Sequence, residues 1–358
     1  MKKSVLIIQG EKSGVEHARS FLPQVLKHKK EFSFFGVGDN ESEQLGVELL
    51  YDLKDFSSMG FSEVILKLPF YLKARKKILS EVKKRNTQYA ILIDFQSFNT
   101  SLLEPLNKLG VKVFYYVAPQ AWAWKERRVS KFKKYVSDLF CLLPFEKNWF
   151  EQRGVKRAHY VSHPLMSKSY KALEDKDDKS VVILPGSRNS EVKYLLPIFV
   201  EFMKKNPGYS YTLIKSENVD QRWYKLFERF FHTIVYSDQL VETLNSSSFA
   251  VAASGTVTLE CALAHVPTIV CYKVSLLNEY IFRNFVEYKG FASISNIVLD
   301  KEVFPELLQE ECTSFLIDQS FKKMLLNRDN IIVDLKRLTS EFNLESVDAA
   351  VVICKGMK

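Results

Sequence analysis

Leu184-Pro185-Gly186-Ser187-Arg188 and Ala253-Ser254-Gly255-Thr256-Val257-Thr258-Leu259-Glu260 are the stretches whose residue types point most directly to chemistry. Each follows an apolar run, residues 181–184 or 249–252, and each leads into a helical pattern. A turn of small residues between strand and helix lets backbone N–H groups approach a phosphate, and the helix start adds partial positive charge. The Arg188 guanidinium can clamp such a phosphate at two points. Glu260 falls about one helical turn beyond Thr256, in reach of a polar group such as a ribose hydroxyl. Two such turns in one half of a chain suggest a nucleoside diphosphate lying across the ends of a parallel sheet. For either turn alone, a tight turn closed by a helix cap is the competing reading.

Positioning these turns requires alternating strands and helices, and the pattern is present. Residues 4–9, 32–37, 89–95 and 111–117 read as strands, with helices over 17–29 and 102–109. A charge-dense stretch, residues 171–179, reads as an exposed connection. Beyond it, strands are expected at 181–184, 211–215, 233–236, 249–252 and 268–272. Such alternation predicts an α/β protein with parallel sheets and right-handed crossovers. The expected organisation is two Rossmann-like domains facing a central cleft, residues 1–170 and 171–330, with a helical tail over 331–358. Ile331, Ile332, Leu335, Leu338 and Phe342 give that tail its apolar spacing. It is expected to pack across the domain boundary or on another subunit, which makes a homodimer a candidate assembly; core packing within its own domain is the alternative.

Composition narrows the function classes. The chain has 358 residues, 46% hydrophobic and 26% charged, as in soluble globular proteins. No apolar run reaches the roughly 18 residues of a membrane-spanning helix, and residues 5–8 are too short a core for a signal peptide, so a cytoplasmic location is expected. The five cysteines form no close pair and read as free thiols, and no metal-ligand spacing occurs among the six histidines. The formal charge of +9 calls for an anionic partner. Nucleic acid is disfavoured because no recognisable binding motif accompanies the charge.

Charge and apolar bulk meet in one segment. Residues 56–72 are rich in large apolar groups, and residues 67–85 carry eight basic side chains against one acid, Glu81. Met59, Phe61, Val64, Leu68 and Phe70 beside Lys73, Arg75, Lys76 and Lys77 suit an interfacial helix on an anionic bilayer. A core helix followed by a solvated basic helix is the alternative. Downstream, Trp122 and Trp124 flank one alanine beside Arg128, offering flat apolar faces and cations together, as a cleft wall would.

With these residues in view, the chain resembles the lipid-A-disaccharide synthases, glycosyltransferases of the GT-B fold (family 19). The resemblance runs nearly end to end. It includes Gly10-Glu11-Lys12-Ser13-Gly14, Met59-Gly60-Phe61-Ser62-Glu63-Val64, Ile93-Asp94-Phe95-Gln96-Ser97-Phe98-Asn99 and Tyr116 through Trp124. It continues through Leu143-Pro144-Phe145-Glu146-Lys147, His163-Pro164-Leu165, Leu184 through Arg188, Ser254-Gly255-Thr256 with Leu259-Glu260, Ser295-Asn296-Ile297 and Pro305 through Gln309.

The resemblance implies an inverting, metal-independent transfer with no cofactor. It joins UDP-2,3-diacylglucosamine to 2,3-diacylglucosamine 1-phosphate, giving a β-1′,6-linked disaccharide and UDP on the inner face of the cytoplasmic membrane. It also implies that Gly186, Ser187, Arg188, Ser254, Gly255, Thr256, Asn296 and Gln309 hold UDP, with Glu260 on the ribose. Ser13, Gly14, Asn99, Trp122, Trp124, Arg128 and His163 fall on the acceptor side. Four positions depart from the family pattern: Val15, Ser97 and Ser167 stand where aspartates are usual, and Ser162 where a glycine is. A base must still take the acceptor proton, and Asp94, Glu11 and Glu16 are the candidates. The alternatives are a divergent member with another acceptor, a non-catalytic homologue binding UDP-lipid or membrane, and a fold-mate such as a UDP-sugar epimerase.

Overall fold

The structure is a computed structural model that describes residues 3–10, 12–56, 67–123, 126–171, 177–273 and 290–358, without the side chains of Lys12 and Asp177. Two compact units result. The first comprises Met1–Pro164 together with Asn343–Lys358, and the second Leu165–Phe342.

The first unit is built on seven parallel strands: β1 (Lys3–Gln9), β2 (Phe32–Gly38), β3 (Val47–Asp52), β4 (Tyr89–Ile93), β5 (Lys112–Tyr116), β6 (Asp138–Cys141) and β7 (Ala158–Tyr160). Their order is β3-β2-β1-β4-β5-β6-β7. Helices cover both faces, so the central strands are apolar throughout: Val5, Leu6, Ile7 and Ile8 on β1, and Ala90 through Ile93 on β4, have no exposure. One face is filled by Leu6, Ile8, Leu92, Tyr115 and the helix Gln96–Lys108, the other by Val5, Ile7, Ile91 and Phe114.

The second unit repeats the plan with six parallel strands: β8 (Asp177–Leu184), β9 (Ser210–Lys215), β10 (Thr233–Tyr236), β11 (Ser247–Ala253), β12 (Thr268–Tyr272) and β13 (Glu306–Leu308), in the order β10-β9-β8-β11-β12-β13. In each sheet the winding reverses beside the first strand, between β1 and β4 and between β8 and β11. Crevices for ligands form at the carboxyl ends of strands flanking such a reversal. The segments that follow β1, β4, β8 and β11 contain Ser13 (on the helix Lys12–Arg19), Asp94, Gly186 and Gly255.

Several expectations shift. The helix expected over 17–29 is two helices, Lys12–Arg19 and Leu22–His28; the second opens with Pro23 in its first turn, where a missing N–H is harmless. The strand expected over 89–95 ends at Ile93, because Asp94 and Phe95 adopt left-handed backbone, φ 51° and 47°. The helix expected to begin at 102 begins at Gln96. The stretch 171–179 is not all connection, since Asp177 already pairs with Ser247 in the sheet.

The division also falls six residues earlier than 170/171. Lys171 N–H donates to Asn245 Oδ1 and Asn245 Nδ2 to Ser169 O, which fastens this segment to the second unit. The tail divides as well. Ile331, Leu335, Leu338 and Phe342 are buried on the helix Arg328–Phe342 of the second unit. Ala349, Ala350, Ile353 and Met357 join the core of the first. There Lys29 Nζ and Lys112 Nζ donate to the carbonyls of Met357 and Gly356, at 2.7 and 3.2 Å, on the helix Ala349–Gly356 and just past it. No helix among the described residues is long and apolar enough to cross a membrane.

Candidate active site

At the β1/β4 reversal, Ser13 Oγ donates to Asp94 Oδ2 at 2.7 Å. Three features fix Asp94. Its backbone is left-handed, its N–H donates to Tyr116 O at 2.8 Å, and its carbonyl accepts from Asn99 Nδ2 at 2.7 Å. Asn99 is fully buried and also donates to Ile93 O, so it braces the loop from beneath. Just past the end of β5, Val117 is left-handed too, φ 71°, a conformation that β-branched residues rarely adopt. Strained backbone at adjacent strand ends marks a place where the fold holds groups in set positions.

Gly10 and Gly14 allow the two loops to meet. A Cβ at Gly10 would stand 2.2 Å from the Phe95 ring, and one at Gly14 3.4 Å from Ile93 O. His163 is buried, and its ring meets that of His17 edge-on with centroids 6.1 Å apart. His17 was not among the residues singled out from the sequence. The signal was its position four residues after Ser13 on the same helix. Burial lowers its proton affinity, against an opposing pull from Asp94 and then Glu16. Glu16 is exposed. Val15 is buried and Ser97 exposed, and neither side chain is ionisable, so neither supplies a charge here; Ser167, exposed in the second unit, carries none either.

The tryptophan loop is anchored rather than open. Trp122 Nε1 donates to Glu146 Oε1 at 3.0 Å, and Leu143 N–H to Glu146 Oε2 at 3.2 Å. Glu146 is buried with only neutral donors, and burial pushes its carboxyl up to about 7. Arg128 is half-buried at the end of the turn Glu126–Arg128. Glu11 and Trp124 lie outside the described residues.

At the β8/β11 reversal, Gly186 has φ 113°, and a Cβ there would stand 2.4 Å from Glu191 Oε2. The amides of this loop do not await a phosphate. Ser187 N–H and Arg188 N–H donate to Glu191 Oε2 at 2.9 and 3.2 Å, while Arg188 Nη1 reaches Glu191 Oε1 at 3.1 Å. Glu191 thus caps its own helix, Asn189–Lys205, from the third position after Arg188, a spacing that the sequence displays. What remains toward solvent is the Arg188 side chain, 68% exposed. Ser254 donates its N–H to Cys271 O, and Gly255 and Thr256 are exposed, with open space around Gly255.

Glu260 is buried and already partnered: Lys168 Nζ lies 2.5 Å and Tyr170 Oη 3.2 Å from Oε1. Both donors lie near the segment boundary, far from Glu260 in sequence, and no local pattern announces them. Asn296 is a correction. Its Nδ2 donates to Phe304 O and Glu306 Oε1, each at 2.8 Å, and its Oδ1 accepts from Val303 N–H and Phe304 N–H. An amide side chain has four such positions, all filled internally. Asn296 therefore shapes the β13 loop rather than holding a nucleotide. Gln309, at the end of β13, has left-handed backbone, φ 51°.

In the basic segment, the helix Leu68–Lys84 exposes Leu68, Leu72, Lys73, Lys76 and Lys77, while Arg75 is half-buried with its Nε on Ser101 O. Phe70 is half-buried and packs edge-on against Tyr51, Phe56 and Tyr71 at the rim of the core. Met59, Phe61 and Val64 lie outside the described residues.

Two parallel Rossmann-like sheets of this kind define a GT-B glycosyltransferase fold. Solved structures with that architecture include the kitacinnamycin glycosyltransferase (TM-score 0.64, 11% identity, 100% of each chain covered) and the calicheamicin glycosyltransferase CalG4 (TM-score 0.63, 12% identity, 99% of each). The chain belongs to the lipid-A-disaccharide synthetase family, whose model matches residues 5–349. The lipid-A-disaccharide synthase of Myxococcus xanthus (strain DK1622) is 33% identical over 338 residues, 89% of this chain and 87% of that protein. Lipid-A-disaccharide synthase 1 of Legionella pneumophila (strain Philadelphia 1) is 31% identical, covering 87% and 85%.

Proposed function

We propose that the chain is an inverting hexosyltransferase of lipid A biosynthesis. It joins UDP-2,3-diacylglucosamine to 2,3-diacylglucosamine 1-phosphate, forming the β-1′,6-linked disaccharide 1-phosphate and releasing UDP. One observation carries this reading: the family match runs from residue 5 to residue 349, through the loops at both sheet reversals.

An inverting transfer is an in-line displacement at the anomeric carbon. Its two demands are a proton acceptor for the attacking hydroxyl and positive charge facing the departing diphosphate. The exposed Arg188 meets the second demand, supported by the turn 254–256, with Gln309 just past the carboxyl end of β13 in the same sheet. Glu260, held by Lys168 and Tyr170, borders the same loop and offers its free lone pairs to the ribose. The first demand falls to the loops of Ser13 and Asp94.

The acyl chains require a surface. Leu68 and Leu72 are one helical turn apart and continue into Lys76, with Lys73 and Lys77 alongside, an arrangement suited to the anionic inner face of a membrane. Leu326 and Val333 are exposed on the carboxy-terminal helices and suit a homodimer.

Turnover of the two lipids in detergent with EDTA present, following UDP release and product mass, tests the assignment. Disaccharide is expected. No product from protein that still binds UDP rejects it. Val15, Ser97 and Ser167 favour one second reading, the same donor with another acceptor, which an acceptor screen would reveal.

A further inference from the structure

One group at the β1/β4 reversal has no part in the reading above. His17 lies four residues after Ser13 on the helix Lys12–Arg19, so the two side chains share a face. Ser13 already holds the Asp94 carboxylate at 2.7 Å, and that carboxylate acts on the charge of His17. The imidazole is half-buried, with Nδ1 sealed from solvent and without a hydrogen-bond partner. Tyr116, from the end of β5, lies at 6.2 Å between ring centroids, and His163, beyond β7, at 6.1 Å. Glu16 is the other acid acting on His17 and stands exposed on its own helix.

Burial outweighs both acids, so His17 protonates below the ordinary histidine range and is neutral near pH 7. Asp94 is held by its left-handed backbone, by Ser13 and by Tyr116 O. An imidazole that gains a proton beside a fixed carboxylate is stabilised at the moment it becomes charged. Asp94 itself is engaged by Ser13, while Val15 and Ser97 bring no acid to the same loops.

We propose that His17 is the catalytic base of the transfer and that Asp94 is its positioning residue. With Nδ1 enclosed, Nε2 is the nitrogen left to meet the acceptor hydroxyl. His17 takes the hydroxyl proton as the oxygen's electron pair forms the bond to the donor's anomeric carbon. The bond from that carbon to the diphosphate breaks, its electrons leave with UDP, and His17 then returns its proton to solvent. The inference rests on the glycosyl-transfer reading.

The test begins with the wild-type protein, whose disaccharide formation is recorded against pH. Activity is expected to fall on the acid side as pH drops through a group below the ordinary histidine range. His17→Gln is expected to lower kcat about 100-fold or more with KM little changed, and to remove that limb. Exogenous imidazole is expected to restore part of the activity of His17→Ala. Asp94→Asn is expected to lower kcat and to move the limb to still lower pH, since Asp94 raises the proton affinity of His17. A folded His17→Gln protein with near-parental kcat and an unchanged limb overturns the inference and leaves the function standing. Where the variants do not fold, a wild-type profile with no such limb overturns it equally. No product from the wild type removes the functional reading and this inference together.

Discussion

At the ends of β1 and β4 the groups that meet are an acid, a hydroxyl and an imidazole, packed among aromatic rings. At the ends of β8 and β11 they are a guanidinium and a carboxylate among small, exposed residues. The strand order around the two reversals is the same, so topology does not account for the difference; the loops do. In the first unit, left-handed backbone at Asp94, Phe95 and Val117 sets the loop that meets Ser13, and the half-buried His17 beside it has its proton affinity lowered by burial. In the second, Gly186 lets Glu191 cap the loop from within, and the Arg188 charge is left facing water. One reversal suits moving a proton and the other suits meeting an anion.

Two buried acids sharpen the contrast. Glu146 receives hydrogen bonds only from uncharged donors, whereas Glu260 has Lys168 beside it. Burial among uncharged donors makes Glu146 keep its proton to higher pH than an ordinary carboxyl.

The sharpest way to break the comparison is Arg188→Ala. If the second reversal serves an anion, kcat/KM should fall about 100-fold, as when one transition-state donor is lost, with the melting temperature nearly unchanged because the side chain is exposed. Parental turnover would remove Arg188 from the site.

A second test is Asn296→Ala. It leaves buried N–H groups of Val303 and Phe304 unpaired and should destabilise the second unit by about 4 kcal/mol, read by denaturant unfolding. An unaltered midpoint would refute its internal role.

Glu146→Gln probes the first unit. Because Glu146 is raised from 4.5 to about 7, the stability it contributes is fully present below about pH 4.5 and is lost as pH rises through about 7. Relative to the Gln variant, the wild type should lose roughly 3 kcal/mol across that window. Parallel stability curves for the two proteins would contradict this.

Smallest is Gly10→Ala. Its methyl meets the Phe95 ring and should cost about 2 kcal/mol, measured by thermal unfolding, and Phe95→Leu in the same chain should recover part of it.

The central strands were legible because a parallel strand covered on both faces carries a continuous apolar run, as residues 5–8 of β1, 89–93 of β4, 181–184 of β8 and 249–253 of β11 do. The short outer strands β6, β7 and β13 and the half-exposed β3 lacked that signature. The phosphate-type loops could be found from small residues next to apolar runs. The partners of those loops could not, because Lys168 meets Glu260 and Phe304 meets Asn296 only once the chain has folded back. His17 and Glu191 lay within reach, four residues after Ser13 and three after Arg188, where helical spacing alone places two side chains together.

The first unit draws its core from both ends of the described chain. Val5, Ile7 and Tyr89 pack with Ala349, Ala350, Ile353 and Met357, and the Tyr89 hydroxyl bonds the backbone of Lys358. During synthesis, residues made first therefore wait for residues made some 350 positions later. The second unit, Leu165–Phe342, is continuous and has its complete core in hand before that helix emerges. Synthesis in chain order thus completes the core of the later unit before that of the earlier one, which still lacks the helix Ala349–Gly356 on one face of its sheet. The part of that face awaiting the helix, around Tyr89 and Phe114, is where a nascent chain would be most exposed to capture by chaperones.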